Sequence, residues 1–166
     1  MRPGLVPRQH LVDRLREGRG RRLTLVCAPA GYGKTTLLGQ WEAEDRDRTP
    51  FAWLSLDHDD ADPVKLWNQL VLGLHQVHPP AGVRSGEVVT AGPLAIVPVA
   101  IPLLIKELAD APPIVVVLED WHQIRNPLCD DTLRAFVEHA PESIQLVISS
   151  RADHGPRSAT EIAIHS

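Results

Sequence analysis

The chain is short of cysteine, of net positive charge and of long apolar runs, and each shortage removes a class of protein. Its 166 residues contain two cysteines, Cys27 and Cys129, with no C-x-x-C pair. A small disulfide-stapled fold is excluded, and a reducing cytoplasm is the expected setting. The formal net charge is -4, whereas domains built mainly to hold nucleic acid are usually basic. The longest apolar stretch, residues 94–105, is too short for a membrane span and contains Pro98 and Pro102, so it reads as buried core. Arg2 and Pro3 stand where a secretory leader would need apolar residues, so export is not expected. There is no internal repeat and no Asn-Lys-x-Asp guanine signature. What remains, with 43% apolar and 23% charged residues, is an ordinary globular chain of single-domain length, residues 1–166.

One stretch names a ligand class. Ala28-Pro29-Ala30-Gly31-Tyr32-Gly33-Lys34-Thr35-Thr36 follows the apolar run Leu23-Thr24-Leu25-Val26-Cys27 and matches G-x-x-x-x-G-K-[ST] except that Ala28 replaces the first glycine. A glycine-containing turn from strand to helix aims backbone N–H groups at one point, and the helix N-terminus adds positive potential there. Phosphate oxygens fit that point. Lys34 would reach the β- and γ-phosphates, and the Thr35 hydroxyl would ligate Mg²⁺. Alanine adds only a methyl at position 28, which a residue with negative φ accommodates. A turn that merely joins a strand to a helix requires neither Lys34 nor Thr35.

The rest of the chain alternates strand and helix patterns. A short helix is expected over residues 9–17, with Leu11, Val12 and Leu15 inward, and a helix follows the phosphate loop with Leu37, Leu38 and Trp41 inward. Residues 51–56 form a strand candidate. Asp62-Pro63 is a cap followed by proline and opens a helix whose buried stripe is Leu66, Trp67, Leu70, Val71 and Leu74. Residues 81–92 read as a surface loop and residues 99–110 as a helix. Residues 114–118 are the clearest buried strand, Asn126-Pro127 opens a helix to about His139, and residues 144–149 and 161–164 supply the last strands. Strands separated by helices define an α/β fold of three layers with a mainly parallel sheet of about five strands.

Ligands of such sheets gather at the carboxyl ends of the strands. Glu119 and Asp120 stand at one such end, where Glu119 can hold Mg²⁺ directly or through water and its neighbour can orient or deprotonate an attacking water. Two solvated acids closing a strand are the plainer alternative. Arg151 closes the last long strand, and its guanidinium can fork onto a γ-phosphate or pair with an acid such as Asp153. The first 22 residues hold seven arginines, from Arg2 to Arg22, which read as a solvated helix face or an anion or partner surface. His75 and His78 share a helix face with no further Cys or His cluster, and Asp57, Asp59, Asp60 and Asp62 lack the glycine and distal glutamate of an EF-hand loop. Helix-end roles account for both groups.

Taken together, several segments resemble the MalT-like signal-transduction ATPases of the STAND class, P-loop domains of large LuxR-type bacterial transcription regulators. The resemblance covers nearly the whole chain and rests on Leu5-Val6-Pro7-Arg8, the strand and phosphate loop, Ala52-Trp53-Leu54-Ser55-Leu56-Asp57, Asp62-Pro63 with Trp67, Glu119-Asp120-Trp121-His122, and Ile148-Ser149-Ser150-Arg151-Ala152-Asp153. It implies that residues 30–36 bind the phosphates of ATP or ADP, that the region around Arg8 lies near the adenine, and that Arg151 senses the γ-phosphate. It also implies a switch in which ADP holds a resting form and ATP with an inducer favours self-association. The family's acidic pair is usually Asp-Asp, and Glu119 departs from it, which puts hydrolysis in question. Family members continue into effector and DNA-binding regions that this sequence lacks, so the expectation is a truncated nucleotide domain with no DNA binding of its own. Two other readings stay open: a module that holds nucleotide without chemistry, and a small P-loop kinase or general ATPase. The kinase would need a lid, and no basic lid segment lies between Asp120 and Ser149.

Overall fold

The computed structural model describes residues 8–17, 23–27, 33–151 and 160–163. Along the chain lie α1 (Arg8–Glu17), β1 (Leu23–Cys27), α2 (Lys34–Asp45), β2 (Phe51–Ser55), α3 (Pro63–Val77), α4 (Ser85–Ala91), α5 (Ile101–Glu107), β3 (Ile114–Glu119), α6 (Pro127–His139), β4 (Ile144–Ser150) and β5 (Thr160–Ala163). The five strands form one sheet in the order β2-β3-β4-β1-β5, and every pairing is parallel. The chain leaves β1 for the far edge at β2, returns through β3 and β4, and passes β1 to add β5. That reversal of direction at β1 is a topological switch point, where open parallel sheets form their ligand crevice.

Strand composition follows from position in the sheet. Strands β1, β3 and β4 are buried along their whole length, as central parallel strands covered on both faces must be. At the edge, β2 alternates, with Ala52 and Leu54 buried and Ser55 exposed. Side-chain alternation divides the core in two. On one face Ile114, Val116, Leu118, Leu146 and Ile148 pack against buried residues of α3 to α6. On the other, Val26, Val115, Val117 and Val147 meet Val12 and Leu15 of α1 and Leu37, Leu38 and Trp41 of α2. Three layers result.

The two cap-plus-proline devices form as read. Asp62 accepts a hydrogen bond from the Val64 N–H at 3.1 Å and Asn126 accepts one from the Leu128 N–H at 3.0 Å, satisfying amides that the first helical turn leaves unpaired. All five residues of the expected α3 stripe are buried. Asp57 and Asp60 form a capping box around a short 3-10 turn, and His75 and His78 hydrogen-bond the carbonyls of Ala81 and Glu107 at 2.9 and 3.3 Å. Helix-end roles hold for both groups.

Four expectations are corrected. Residues 81–92 are not a loop, because α4 occupies most of them. Its side-chain support comes from Glu107, whose carboxylate accepts the Gly82 N–H at 3.1 Å, the Arg84 N–H at 2.8 Å and the Ser85 hydroxyl. Residues 99–110 are not one regular helix: a π turn over Ile96–Ala100 precedes α5, in a stretch where Pro98 and Pro102 each lack a ladder donor. Nor is the apolar stretch 94–105 wholly buried. Ile96, Ala100, Ile101 and Leu104 face the core, while Leu94, Val97 and Val99 are exposed. The last strand lies one residue earlier than expected, at Thr160–Ala163.

Candidate functional site

The carboxyl ends of four strands line up beside the start of α2. Register pairs Cys27 with Ser150 and Ser55 with Glu119, so residues far apart in sequence share one edge. Residues 28–32, and with them Ala28, Pro29, Ala30, Gly31 and Tyr32, lie outside the described residues, as do the side chains of Lys34 and Arg8. Gly33 directly precedes α2 with φ 81° and ψ 28°, a left-handed conformation that side-chain-bearing residues adopt at a cost. Its carbonyl accepts the Leu37 N–H at 2.9 Å. Thr35 and Thr36 follow in the first turn, both exposed.

Period-two alternation places Glu119 on the same sheet face as Val115 and Val117, the face covered by α2. The Thr35 hydroxyl donates a hydrogen bond to Glu119 Oε1. On the other carboxylate oxygen, Oε2 accepts the Trp53 indole N–H at 2.8 Å and the Ser55 hydroxyl at 3.3 Å. Glu119 is only 8% exposed and is held from two sides. Buried carboxylates are ordinarily satisfied in this way.

Asp120 comes next and leaves the strand. It has φ 66°, making it the one non-glycine residue with positive φ among those described, and its N–H donates to Ser149 Oγ at 3.1 Å. Such conformations cluster at functional sites because the surrounding structure must hold them. Arg151 is exposed and lines a cavity of about 440 Å³ with His58, Ala61, His122, Gln123 and Arg125. Sequence reasoning places Thr35, Glu119, Asp120 and Arg151 at one edge; the described geometry brings Thr35 and Glu119 into contact and sets Arg151 in the cavity beside His58 and His122. It missed Trp53, Ser55 and Ser149, and it missed the basic groups around Arg151. Alternation along β2, which puts residues 51, 53 and 55 on the α2 face, is the signal that points to Trp53 and Ser55.

The arrangement suits a hard cation. Mg²⁺ takes oxygen ligands and seldom more than one or two from carboxylates, and Thr35 and Glu119 offer a hydroxyl and a carboxylate oxygen at one place. Among the described residues no group of three or more His, Cys, Asp or Glu is arranged to hold a metal. No helix among them is long and apolar enough to cross a membrane.

The architecture is that of an α/β domain with the P-loop NTPase fold. In sequence it is similar to MalT regulators over most of its own length. The chain is 35% identical over 147 residues to the HTH-type transcriptional regulator MalT of Klebsiella pneumoniae, covering 88% of this chain and 16% of that protein. The same figures hold for MalT of Serratia proteamaculans. A second kind of relative is the serine/threonine-protein kinase PknK of Mycobacterium tuberculosis, 33% identical over 148 residues, 88% of this chain and 13% of that protein. The chain thus spans less than a fifth of the length of these relatives. No family model matches it. Among solved structures, a chain in the structure of Drosophila ORC bound to DNA superposes with a TM-score of 0.55 at 14% identity, over 89% of this chain and 78% of that one. Another, from Drosophila ORC bound to AT-rich DNA and Cdc6, gives 0.52 at 11% identity, over 90% and 50%. Likenesses this remote in sequence speak to the fold.

Proposed function

We propose that the chain is the nucleotide-binding switch domain of a MalT-like bacterial regulator, taking ATP or ADP with Mg²⁺ and hydrolysing ATP slowly. The observation that carries this reading is the contact between Thr35, in the first turn of α2, and Glu119 at the end of β3. A strand-end carboxylate on the hydroxyl that follows the loop lysine is what a P-loop site needs for its metal. The residues from 28 to 36 then cradle the phosphates, with Lys34 on the β- and γ-phosphates, and Arg8 lies toward the adenine. Bound between Thr35 and Glu119, Mg²⁺ would neutralise charge on the β- and γ-phosphates.

Glu119 has both oxygens engaged by Thr35, Trp53 and Ser55, which suits it to holding a metal. Orienting or deprotonating the attacking water then falls to Asp120, whose turn out of the strand is fixed by Ser149. Arg151 answers to the γ-phosphate, where a guanidinium distinguishes ATP from ADP by charge and geometry. The nucleotide domain occupies residues 1–166. Its setting is cytoplasmic, its ATP form self-associates, and effector regions supply the output. The relatives support a domain that serves more than one output, since one is named a transcription regulator and another a kinase.

Equilibrium binding of ATP and ADP with Mg²⁺, set beside Lys34→Ala, tests the reading. Wild type binds both nucleotides, and the variant loses most of that affinity because a charge-assisted phosphate contact is removed. A wild-type protein that binds neither nucleotide overturns the assignment. Rapid phosphate transfer to an added small acceptor, in place of slow release, would make the chain a kinase.

A further inference from the structure

A glutamate carries one more rotatable bond than an aspartate at the same backbone position, so its carboxylate sweeps a larger arc unless something fixes it. Here Oε2 is fixed by two donors from β2. Trp53 offers only an N–H, and its ring packs against the buried cluster on the α2 face, so the carboxylate must be the acceptor. Ser55 is the register partner of Glu119 in the neighbouring strand. With Oε2 held, the remaining oxygen is aimed at the Thr35 hydroxyl.

We propose that Trp53 and Ser55 are positioning residues for the metal-side carboxylate, and that Trp53 reports metal binding optically. The inference rests on the nucleotide-binding reading above. Outer-shell partners that orient a ligating carboxylate commonly matter tenfold to a hundredfold in metal affinity. Trp53 and Ser55 touch neither nucleotide nor metal in this scheme. They act through Glu119 alone, by keeping its Oε1 where Thr35 and the ion need it. Trp53 is also well suited to report the event. Trp41, Trp67 and Trp121 are at most 2% exposed, whereas Trp53 is half-buried and bonded to the carboxylate that the ion would draw on.

The test is the Mg²⁺-dependent gain in ATP affinity, measured calorimetrically with Mg²⁺ and again with a chelator. Trp53→Phe keeps the ring and removes the donor, and Ser55→Ala removes the second donor. The gain falls about tenfold or more in Trp53→Phe and by a smaller factor in Ser55→Ala. In a Glu119→Gln background the Trp53→Phe change has no further effect, because the group it acts through is gone. Adding Mg²⁺ to the ATP complex shifts tryptophan emission in wild type and not in Trp53→Phe. Equal losses of affinity with and without Mg²⁺ would mean that Trp53 merely supports the fold, and the proposal fails. So it does if Trp53→Phe retains the wild-type gain. Should Trp53→Phe not fold, Ser55→Ala decides, since Ser55 is an exposed residue of the edge strand. Wild type that binds ATP with no gain from Mg²⁺ overturns the positioning role and leaves nucleotide binding standing, whereas wild type that binds no ATP overturns both.

Discussion

Arg16 of α1 grips Asp45, the last residue of α2, with its Nε 3.1 and 3.0 Å from the two carboxylate oxygens and its Nη2 2.7 Å from Oδ1. The Trp41 indole N–H donates to the same carboxylate at 2.8 Å. Asp45 is 4% exposed, so this is an anchor that fixes α1 on α2. It gives one member of the arginine-rich segment a structural role that sequence composition did not separate from its neighbours. Hydrogen bonding to Asp45, opposed by burial, raises the Arg16 guanidinium above its ordinary value.

Removing that anchor should destabilise the domain. Arg16→Ala leaves a buried carboxylate with its indole donor but without its counter-charge, which costs about 1–2 kcal/mol given that the arginine itself is partly exposed. Arg16→Lys keeps the charge and loses the two-point fork, and should cost less. Because the arginine value is raised, the guanidinium keeps its charge throughout the neutral range, so salt probes the pair there. Urea denaturation of the three proteins checks this, and a loss below about 0.5 kcal/mol in Arg16→Ala would reduce the pair to an ordinary surface contact.

Two glycines of one segment should respond in opposite directions to alanine. Gly33 has φ 81°, and a Cβ in the left-handed region costs about 1–2 kcal/mol, with a further loss of nucleotide affinity if the turn relaxes. Gly39 lies inside α2, where an added Cβ would meet nothing within 4 Å. Gly39→Ala should stabilise by about 0.5–1 kcal/mol. Thermal unfolding and ATP binding of both variants read this out, and a destabilised Gly39→Ala would contradict the open space around that position.

Cys129 should be inert in the native protein. It is fully buried, and burial, followed by the charges of Asp130 and Asp62, pushes its thiol up to about 11. At about pH 8 almost none of it is thiolate, and access is closed as well. Thiol titration with a disulfide reagent should label Cys129 only after unfolding in urea. Fast labelling of Cys129 without denaturant would show that α6 opens readily.

What was legible in the sequence was whatever is local. The caps at Asp62 and Asn126 work through residues two positions on, and the buried runs of β1, β3 and β4 carry their own pattern, so these elements and the sheet class could be read directly. The motif over residues 28–36 is legible by its spacing. What was hidden is non-local. Helix α4 has weak local signals and leans on Glu107, 22 positions beyond Ser85. The two bonds from β2 to Glu119 span 66 and 64 positions, so only the sheet register brings them together. The exposed half of residues 94–105 is hidden in the sequence because apolar content alone does not say which side of an irregular helix faces out.

Glu107 should make the region around α4 sensitive to acid. Burial opposes its charge, but the Arg84 N–H, the Ser85 hydroxyl and the Gly82 N–H more than offset this, and its carboxyl lies below the ordinary carboxylate value. A carboxyl lowered in the folded state binds its proton more readily when unfolded, so stability rises with pH through that region and is then constant. The contribution is complete above the unfolded glutamate value and is lost as pH falls through the folded one. In Glu107→Gln an amide N–H faces backbone donors, which costs about 1–3 kcal/mol near neutrality. The stability gap between wild type and Glu107→Gln should therefore stay level from neutral pH down to the ordinary carboxylate range and narrow below it. Hydrogen exchange at residues 82–85 should quicken over the same interval, beyond the intrinsic pH dependence of exchange. A gap that stays constant through the acid range would show that the three donors do not depend on the carboxylate's charge.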